Sequence, residues 1–165
     1  MNRMTVQACT HFDSPLGRML LAATDRGLAG VWFEGQRHGP DASLWARDAS
    51  HPVLVQAVAQ LRAYYAGERS TFDLPLDLQA GTPFQQSVWN ALLAIPTGGT
   101  TSYAALARGL GRASAARAIG AAVGRNPLSI VVPCHRVLGT GGALTGYAGG
   151  LERKTALLRL EGALM

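Results

Sequence analysis

Short apolar stretches in the first third of the chain alternate with polar positions and are cut by turn-forming residues. On that period of two, residues 6–12, 18–24 and 29–34 read as strands. Ser14-Pro15-Leu16-Gly17 and Asp25-Arg26-Gly27 separate them, supplying the proline and glycine that tight turns use. Residues 35–50 are polar and turn-rich, which predicts a loop. Beyond it the period lengthens. Pro52 suits a first helical position, Leu54, Val58, Leu61 and Tyr65 follow at spacings of 4, 3 and 4, and Gly67 is placed to stop the helix. Residues 72–78 read as a strand or an extended linker, with Pro75 arguing against a central strand.

The second half reads as helical. Thr82-Pro83-Phe84-Gln85 has the capping-box pattern, a hydroxyl followed three positions later by glutamine. Phe84, Val88 and Leu92 then recur every four residues until Pro96. A short helix over 102–108, the turn Gly109-Leu110-Gly111 and a helix running from a Ser114 cap to about Val123 make a helix-turn-helix pattern. The apolar run Ile130-Val131-Val132-Pro133 leads into a glycine-rich stretch, and residues 151–161 form an amphipathic helix closed by Gly162. There is no internal repeat. The change of period puts a domain boundary near 76–82.

With 48% apolar residues among 165, the chain can bury a sizeable core, which excludes wholesale disorder. Residues 1–12 lack the basic stretch and apolar run of a secretory signal. No apolar segment approaches the ~20 residues that span a bilayer. Two cysteines, Cys9 and Cys134, are too few for a disulfide scaffold. A soluble protein of a reducing compartment, the cytoplasm, is expected.

The net charge of +5 is unevenly held. Residues 1–80 carry seven Arg against eight Asp or Glu, whereas residues 81–165 carry seven Arg and one Lys against two Glu. No acid lies between Asp77 and Glu152, a span containing Arg108, Arg112, Arg117, Arg125 and Arg136. One-signed charge suits a polyanion, whose condensed counterions lysine and arginine displace. A plain solvated basic face is the alternative, and the balanced first half weighs against it.

Cys134 and His135 are the only Cys and His of the basic half, and they are adjacent. A thiol reacts as thiolate, and His135 and Arg136 are both placed to lower its pKa. Neighbouring side chains rarely face one another, so a relay through water or a tertiary approach is needed; the competing reading is a buried, inert cysteine. Zinc ligand pairs are spaced by two to four residues, which Cys134-His135 is not, and no second pair lies nearby. Cys9 and His11 share one side of a strand, but with His38 and His51 distant no metal site is expected.

Wider motifs separate these readings. Asn126-Pro127, Pro133-Cys134-His135-Arg136-Val137 and Gly146-Tyr147-Ala148-Gly149-Gly150 resemble the active-site segment of O6-alkylguanine-DNA alkyltransferases. Asp13-Ser14-Pro15-Leu16-Gly17 resembles that family's first hairpin, and Phe84-Gln85-Gln86-Ser87-Val88-Trp89 with Ile95-Pro96 the helix opening its C-terminal domain. Thr101-Ser102-Tyr103 and Ala115-Ala116-Arg117-Ala118-Ile119-Gly120 resemble its helix-turn-helix, with Cys134 following Arg117 by 17 residues.

The resemblance implies an α+β fold: an N-terminal α/β domain with a small antiparallel sheet (1–78), then a mainly helical DNA-binding and active-site domain (79–165). It implies a single-turnover transfer of an alkyl group from O6 of a guanine in double-stranded DNA to Cys134, without a cofactor. The damaged nucleotide is rotated out through the minor groove, because a thiol cannot reach O6 inside a duplex. Arg117 fills the vacated space, and Ala115, Ala116 and Gly120 keep the inserted helix thin. Arg136 joins the DNA contacts. Tyr103 turns the nucleotide and donates to the ring, with Lys154 near it. Asn126 braces the turns, the Val137 carbonyl and the Ala148 N–H meet the guanine edge, and Tyr147 lines the pocket. Glu161, 27 residues after Cys134, completes a Glu–His–water–Cys relay that makes the thiolate. A monomer is expected, with clustering along DNA left open.

Gly98-Gly99 departs from the Gly-Glu pair of many relatives, and the zinc ligands of some relatives lack counterparts. Three rivals stand beside this reading. A binding-only alkyltransferase-like protein would lack the cysteine, a thiol hydrolase would turn over repeatedly, and a helix-turn-helix transcription factor would prefer a sequence.

Overall fold

Alternation in the first third produces a three-stranded antiparallel meander: β1 (Ala8–Ser14), β2 (Gly17–Thr24) and β3 (Gly27–Phe33), in that spatial order. The computed structural model describes residues 4–165; Met1, Asn2 and Arg3, the start of the segment read for a secretory signal, lie outside the described residues. Both hairpins turn tightly, with Ser14 paired to Gly17 and Thr24 to Gly27. Gly27 is required: its φ is +147°, and a Cβ there would run into the Pro75 carbonyl.

The two faces of this sheet bury different partners, as a strand's period of two dictates. Met19, Leu21, Leu28, Val31 and Phe33 join the main core with α1 (Pro52–Tyr65). Cys9, Leu20, Ala22 and Trp32 form a second cluster capped by Val6, Ala42 and Trp45. The stretch 35–50 is therefore more than a polar loop. It carries Trp45 onto Trp32, with ring centroids 5.7 Å apart, and bridges β1 at Cys9–Arg47. Residues 72–78 form no strand, but Leu76 bridges Leu28 on the outer edge of β3. The buried stripe of α1 is Leu54, Ala57, Leu61 and Tyr64, with Val58 and Tyr65 only half-buried.

In the second half, α2 (Pro83–Leu92) starts on the expected box: Thr82 Oγ1 accepts from the Gln85 N–H, and Gln85 Oε1 from the Thr82 N–H. Its buried residues are Val88, Trp89 and Leu92, Phe84 being half-buried, and Trp89 Nε1 donates to the Ala122 carbonyl at 2.8 Å. Two short helices follow, α3 (Tyr103–Gly109) and α4 (Ala116–Gly124), joined by a turn and a 3₁₀ segment at Ala113–Ala115. Ser102 caps α3. Ser114 caps nothing, a correction to the sequence reading: it lies inside the 3₁₀ turn, and α4 begins after Ala115 without a side-chain cap. The turn supplies the backbone geometry that a cap would otherwise fix.

Two backbone pairings position the segment around Cys134. Residues 127–129 pair with β3 (Val31 N–H to the Pro127 carbonyl, 2.8 Å; Ser129 N–H to the Val31 carbonyl, 3.0 Å), so the segment before Cys134 docks on the sheet edge. A short parallel pair, β4 (Thr101–Ser102) with β5 (Val137–Leu138), ties the start of α3 to the segment just after Cys134. The last helix, α5 (Leu151–Leu160), packs beneath that segment. Among the described residues no helix is long and apolar enough to cross a membrane.

Candidate active site

Cys134 opens a single 3₁₀ turn, Cys134–Arg136, that follows the apolar run and is buried throughout. The run reaches it through a strained residue: Ile130 has φ +73°, a conformation that a β-branched side chain rarely adopts. Asn126 holds this segment in place. Its Oδ1 accepts from the Leu128 N–H at 3.0 Å and its Nδ2 donates to the Val132 carbonyl at 2.8 Å. The bracing expected of Asn126 is present.

The thiol lies on the wall of a cavity of about 310 Å³, near the lower end for small-molecule sites and suited to one flat ring system. Tyr103, Tyr147 and Ala148, each assigned to the substrate pocket by the resemblance, line it together with Gly120, which the resemblance assigned to the DNA-entering helix. Gly120 lies beside the Tyr103 ring, where an added Cβ would make an ordinary contact at 3.7 Å. Arg37 and His38 line the same cavity from the first half of the chain, and Arg125 from the end of α4. Nothing in their local sequence marks the first two; the Arg37 N–H bonded to the Ala148 carbonyl holds them there.

Behind the cavity lies a buried ionic cluster. His135 Nε2 is 2.7 Å from Glu161 Oε2. Arg136 donates from Nε to Glu161 Oε1 (2.8 Å) and from Nη2 to Oε2 (3.0 Å), and its Nη1 bonds the Ile95 carbonyl. Tyr64, from α1, donates to Glu161 Oε2 at 2.6 Å. Burial pushes the Glu161 carboxyl up, but the donors from His135, Arg136 and Tyr64 more than offset it and hold it at about 2. Glu161 is thus an anion, and Nε2 of His135 is its proton-bearing nitrogen. Nδ1 is left a free acceptor, and it is buried with no hydrogen-bond partner among the described residues. Burial, then Arg136 and Lys154, lower the pKa of His135 against Glu161, keeping the ring neutral.

Two sequence expectations need correction. Arg136 is 6% exposed and its guanidinium is engaged with Glu161, Ile95 and Thr97, so it braces the cluster from the interior and is not held out from the surface. The resting thiol is not ionised by its neighbours: burial raises Cys134 to about 11, against opposing pulls from the Asn126 amide and the Lys154 charge. Lys154 approaches Tyr103 through the loop that it ties down. Its ammonium donates to the carbonyls of Val137 (2.6 Å), Thr145 (2.7 Å) and Gly146 (3.1 Å), and burial lowers its pKa to about 8. It shapes the cavity through that loop. Gly146, at its end, sits beside the Tyr103 hydroxyl.

Arg117 is exposed on α4, whereas Ala115 and Ala116 pack half-buried against the core. Among the described residues no group of three or more His, Cys, Asp or Glu side chains is arranged to hold a metal. What the fold presents is a cysteine thiol on the wall of a small cavity, next in the chain to a carboxylate-oriented histidine, with α3 and α4 contributing to the same cavity.

Comparison with known proteins agrees with that description. Residues 83–163 match the model of the 6-O-methylguanine DNA methyltransferase DNA-binding domain, and residues 8–78 that of its ribonuclease-like domain. The methylated-DNA--protein-cysteine methyltransferase of Mycobacterium tuberculosis is 50% identical over 149 residues, 90% of this chain and 88% of that protein. Its namesake from Methanosarcina acetivorans is 46% identical over 92% of this chain and 96% of its own. The crystal structure of Mycobacterium tuberculosis OGT in complex with DNA matches with a TM-score of 0.86 at 47% identity, covering 94% of this chain and 93% of that one. The chain belongs to the 6-O-methylguanine DNA methyltransferase family.

Proposed function

We propose that this chain repairs DNA by direct reversal, moving an alkyl group from O6 of guanine in duplex DNA to Cys134, once per molecule and without a cofactor. One observation carries the reading. Cys134 faces the cavity while His135, its Nε2 fixed by Glu161, keeps Nδ1 as an unpartnered base in the interior behind it.

A thiol held at about 11 would cost on the order of 5 kcal/mol to ionise at neutral pH. The thiol proton passes to Nδ1 through one bridging water, and Glu161 stabilises the imidazolium. Sulfur then attacks the alkyl carbon in line. The S–C bond forms, the C–O6 bond breaks, and the electron pair leaves on the guanine. Tyr103 donates to the ring and offsets that charge. The Val137 carbonyl, with a lone pair left beyond its bond to Lys154, and the Ala148 N–H read the guanine edge, while Tyr147 closes the pocket. The thioether product is not reversed by thiol exchange.

Base extrusion follows from the thiol's depth, since Cys134 is 6% exposed and a stacked base cannot approach it. Arg117 supports the vacated stack, with Ala115, Ala116 and Gly120 admitting the helix to the minor groove. The protein acts as a monomer in the cytoplasm, its two domains dividing between residues 78 and 79.

Intact mass measured after mixing with an O6-methylguanine duplex tests the proposal. A gain of one methylene, mapped to Cys134 and absent in Cys134→Ser, is expected, with DNA affinity of that variant within about threefold of the parent. Unchanged mass with retained binding would instead leave a lesion-binding protein.

A further inference from the structure

Tyr64 stands outside every motif used so far, yet it touches the proposed relay. It ends the buried stripe of α1, 97 residues before Glu161, and is 2% exposed. Its hydroxyl donates to Glu161 Oε2, the same oxygen that His135 Nε2 contacts. No other residue of the first half of the chain bonds that carboxylate among the described residues.

We propose that Tyr64 is a positioning residue of the alkyl-transfer reaction, which sets the basicity of His135 by sharing the charge of Glu161 and so makes the first half of the chain part of the proton relay. The inference rests on the transfer reading above. A carboxylate that accepts from a phenol and from a bidentate guanidinium has less negative charge left to stabilise an imidazolium. The phenol itself stays protonated, because burial first and then the Glu161 charge raise its pKa. Around His135 the other ionisable groups are Cys134 and Arg136 on its own turn, and Lys154 and Glu161 on and just beyond α5. The cations disfavour a proton on Nδ1, Glu161 favours it, and Tyr64 moderates Glu161. The outcome is a histidine that remains an unprotonated base at mildly acidic pH.

The sign follows directly. Removing the phenol hydroxyl leaves Glu161 more negative, raises the His135 pKa, and moves the acid limb of the transfer rate to higher pH. The test is single-turnover transfer to Cys134 at saturating O6-methylguanine duplex, followed across pH for the parent and Tyr64→Phe. An upward shift of the acid limb by about half a pH unit or more is expected, with complete alkylation at the end point and DNA affinity unchanged. A profile merely scaled by one factor at every pH overturns the proposal and leaves Tyr64 a packing residue.

Two further arms keep this decisive should Tyr64→Phe fold poorly. Site-specific 3-fluorotyrosine at position 64, nearly isosteric and a stronger donor, is expected to move the limb down; an unmoved limb overturns the proposal. In a Glu161→Gln background Tyr64→Phe is expected to shift nothing, and a persisting shift also overturns it. If the parent itself leaves Cys134 unalkylated, the transfer reading fails, an outcome distinct from every Tyr64 result.

Discussion

The rim of the cavity and the cluster behind it are built on opposite principles. On the α4 side, Ala121 and Arg125 line the cavity and Arg117 and Ala118 are exposed one turn before them, and the glycines at 120 and 124 keep that surface low. Behind Cys134, the side chains of His135, Arg136 and Glu161 are at most 7% exposed and cross-linked by bonds of 2.7–3.0 Å. Exposed charges near a polyanion contribute affinity that salt erodes, and little stability. Buried, hydrogen-bonded charges contribute chemistry, and breaking them is costly. The difference teaches that the basic character of the second half has two origins, and that net charge counts them together.

The strongest way to break this comparison is Glu161→Gln. Loss of the carboxylate leaves Arg136 uncompensated and removes the anion that favours imidazolium. Transfer is expected to slow by about 10²-fold or more, with stability falling by about 3–5 kcal/mol and DNA affinity little changed. Stopped transfer assays, urea melts and binding titrations read the three quantities. A rate equal to the parent's sinks the relay. The same group predicts an acid dependence: its folded pKa, about 2, lies below the ordinary 4.5. Its contribution is therefore present in full above about pH 5 and lost as pH falls toward 2, a total of roughly 3 kcal/mol. Urea melts across that window should show the parent losing more stability than Glu161→Gln.

Arg117→Ala addresses the rim and has a smaller effect. Affinity for duplex DNA is expected to fall by about tenfold and the salt slope to ease by about one, with extrusion weakened as well. Thermal stability should stay within about 0.5 kcal/mol, because the Arg117 side chain makes no hydrogen bond or ion pair among the described residues. A large drop in melting temperature would erase the distinction between rim and cluster.

How much of this was legible in the sequence depended on range. The strands came from alternation and the capped helices from their end signals, since both are local. The α1 stripe was read one position off at two places, because Ala57 is too small to stand out and Tyr64 and Tyr65 are adjacent and alike. Cys134, Tyr103, Tyr147 and Ala148, which the motifs assigned to one pocket, line one cavity, and Gly120 joins them there. Arg37, His38 and Tyr64 were not legible as site residues, since each arrives by a contact made across the two halves. A buried tyrosine needs a partner for its hydroxyl, and that rule was the one signal pointing at Tyr64. Arg136 was misread because a positive charge beside the nucleophile looks the same in sequence whether it meets a phosphate or a buried glutamate.

The finest division between rim and interior lies in two hydroxyls that the sequence presents as equivalent caps. Thr82 closes a reciprocal box with Gln85 at the head of α2, whereas Ser114 lies exposed in the 3₁₀ turn on the rim, where it caps no helix. Thr82→Ala therefore removes an acceptor from an orphan helix N–H and should lower stability by about 1 kcal/mol. Ser114→Ala removes no such bond, and a change below about 0.5 kcal/mol is expected from paired urea melts. Equal losses in the two variants would mean that Ser114 does hold the start of α4 in solution. The second helix of the pair would then be anchored by its own cap, and the rim would be less independent of the fold than its exposure indicates.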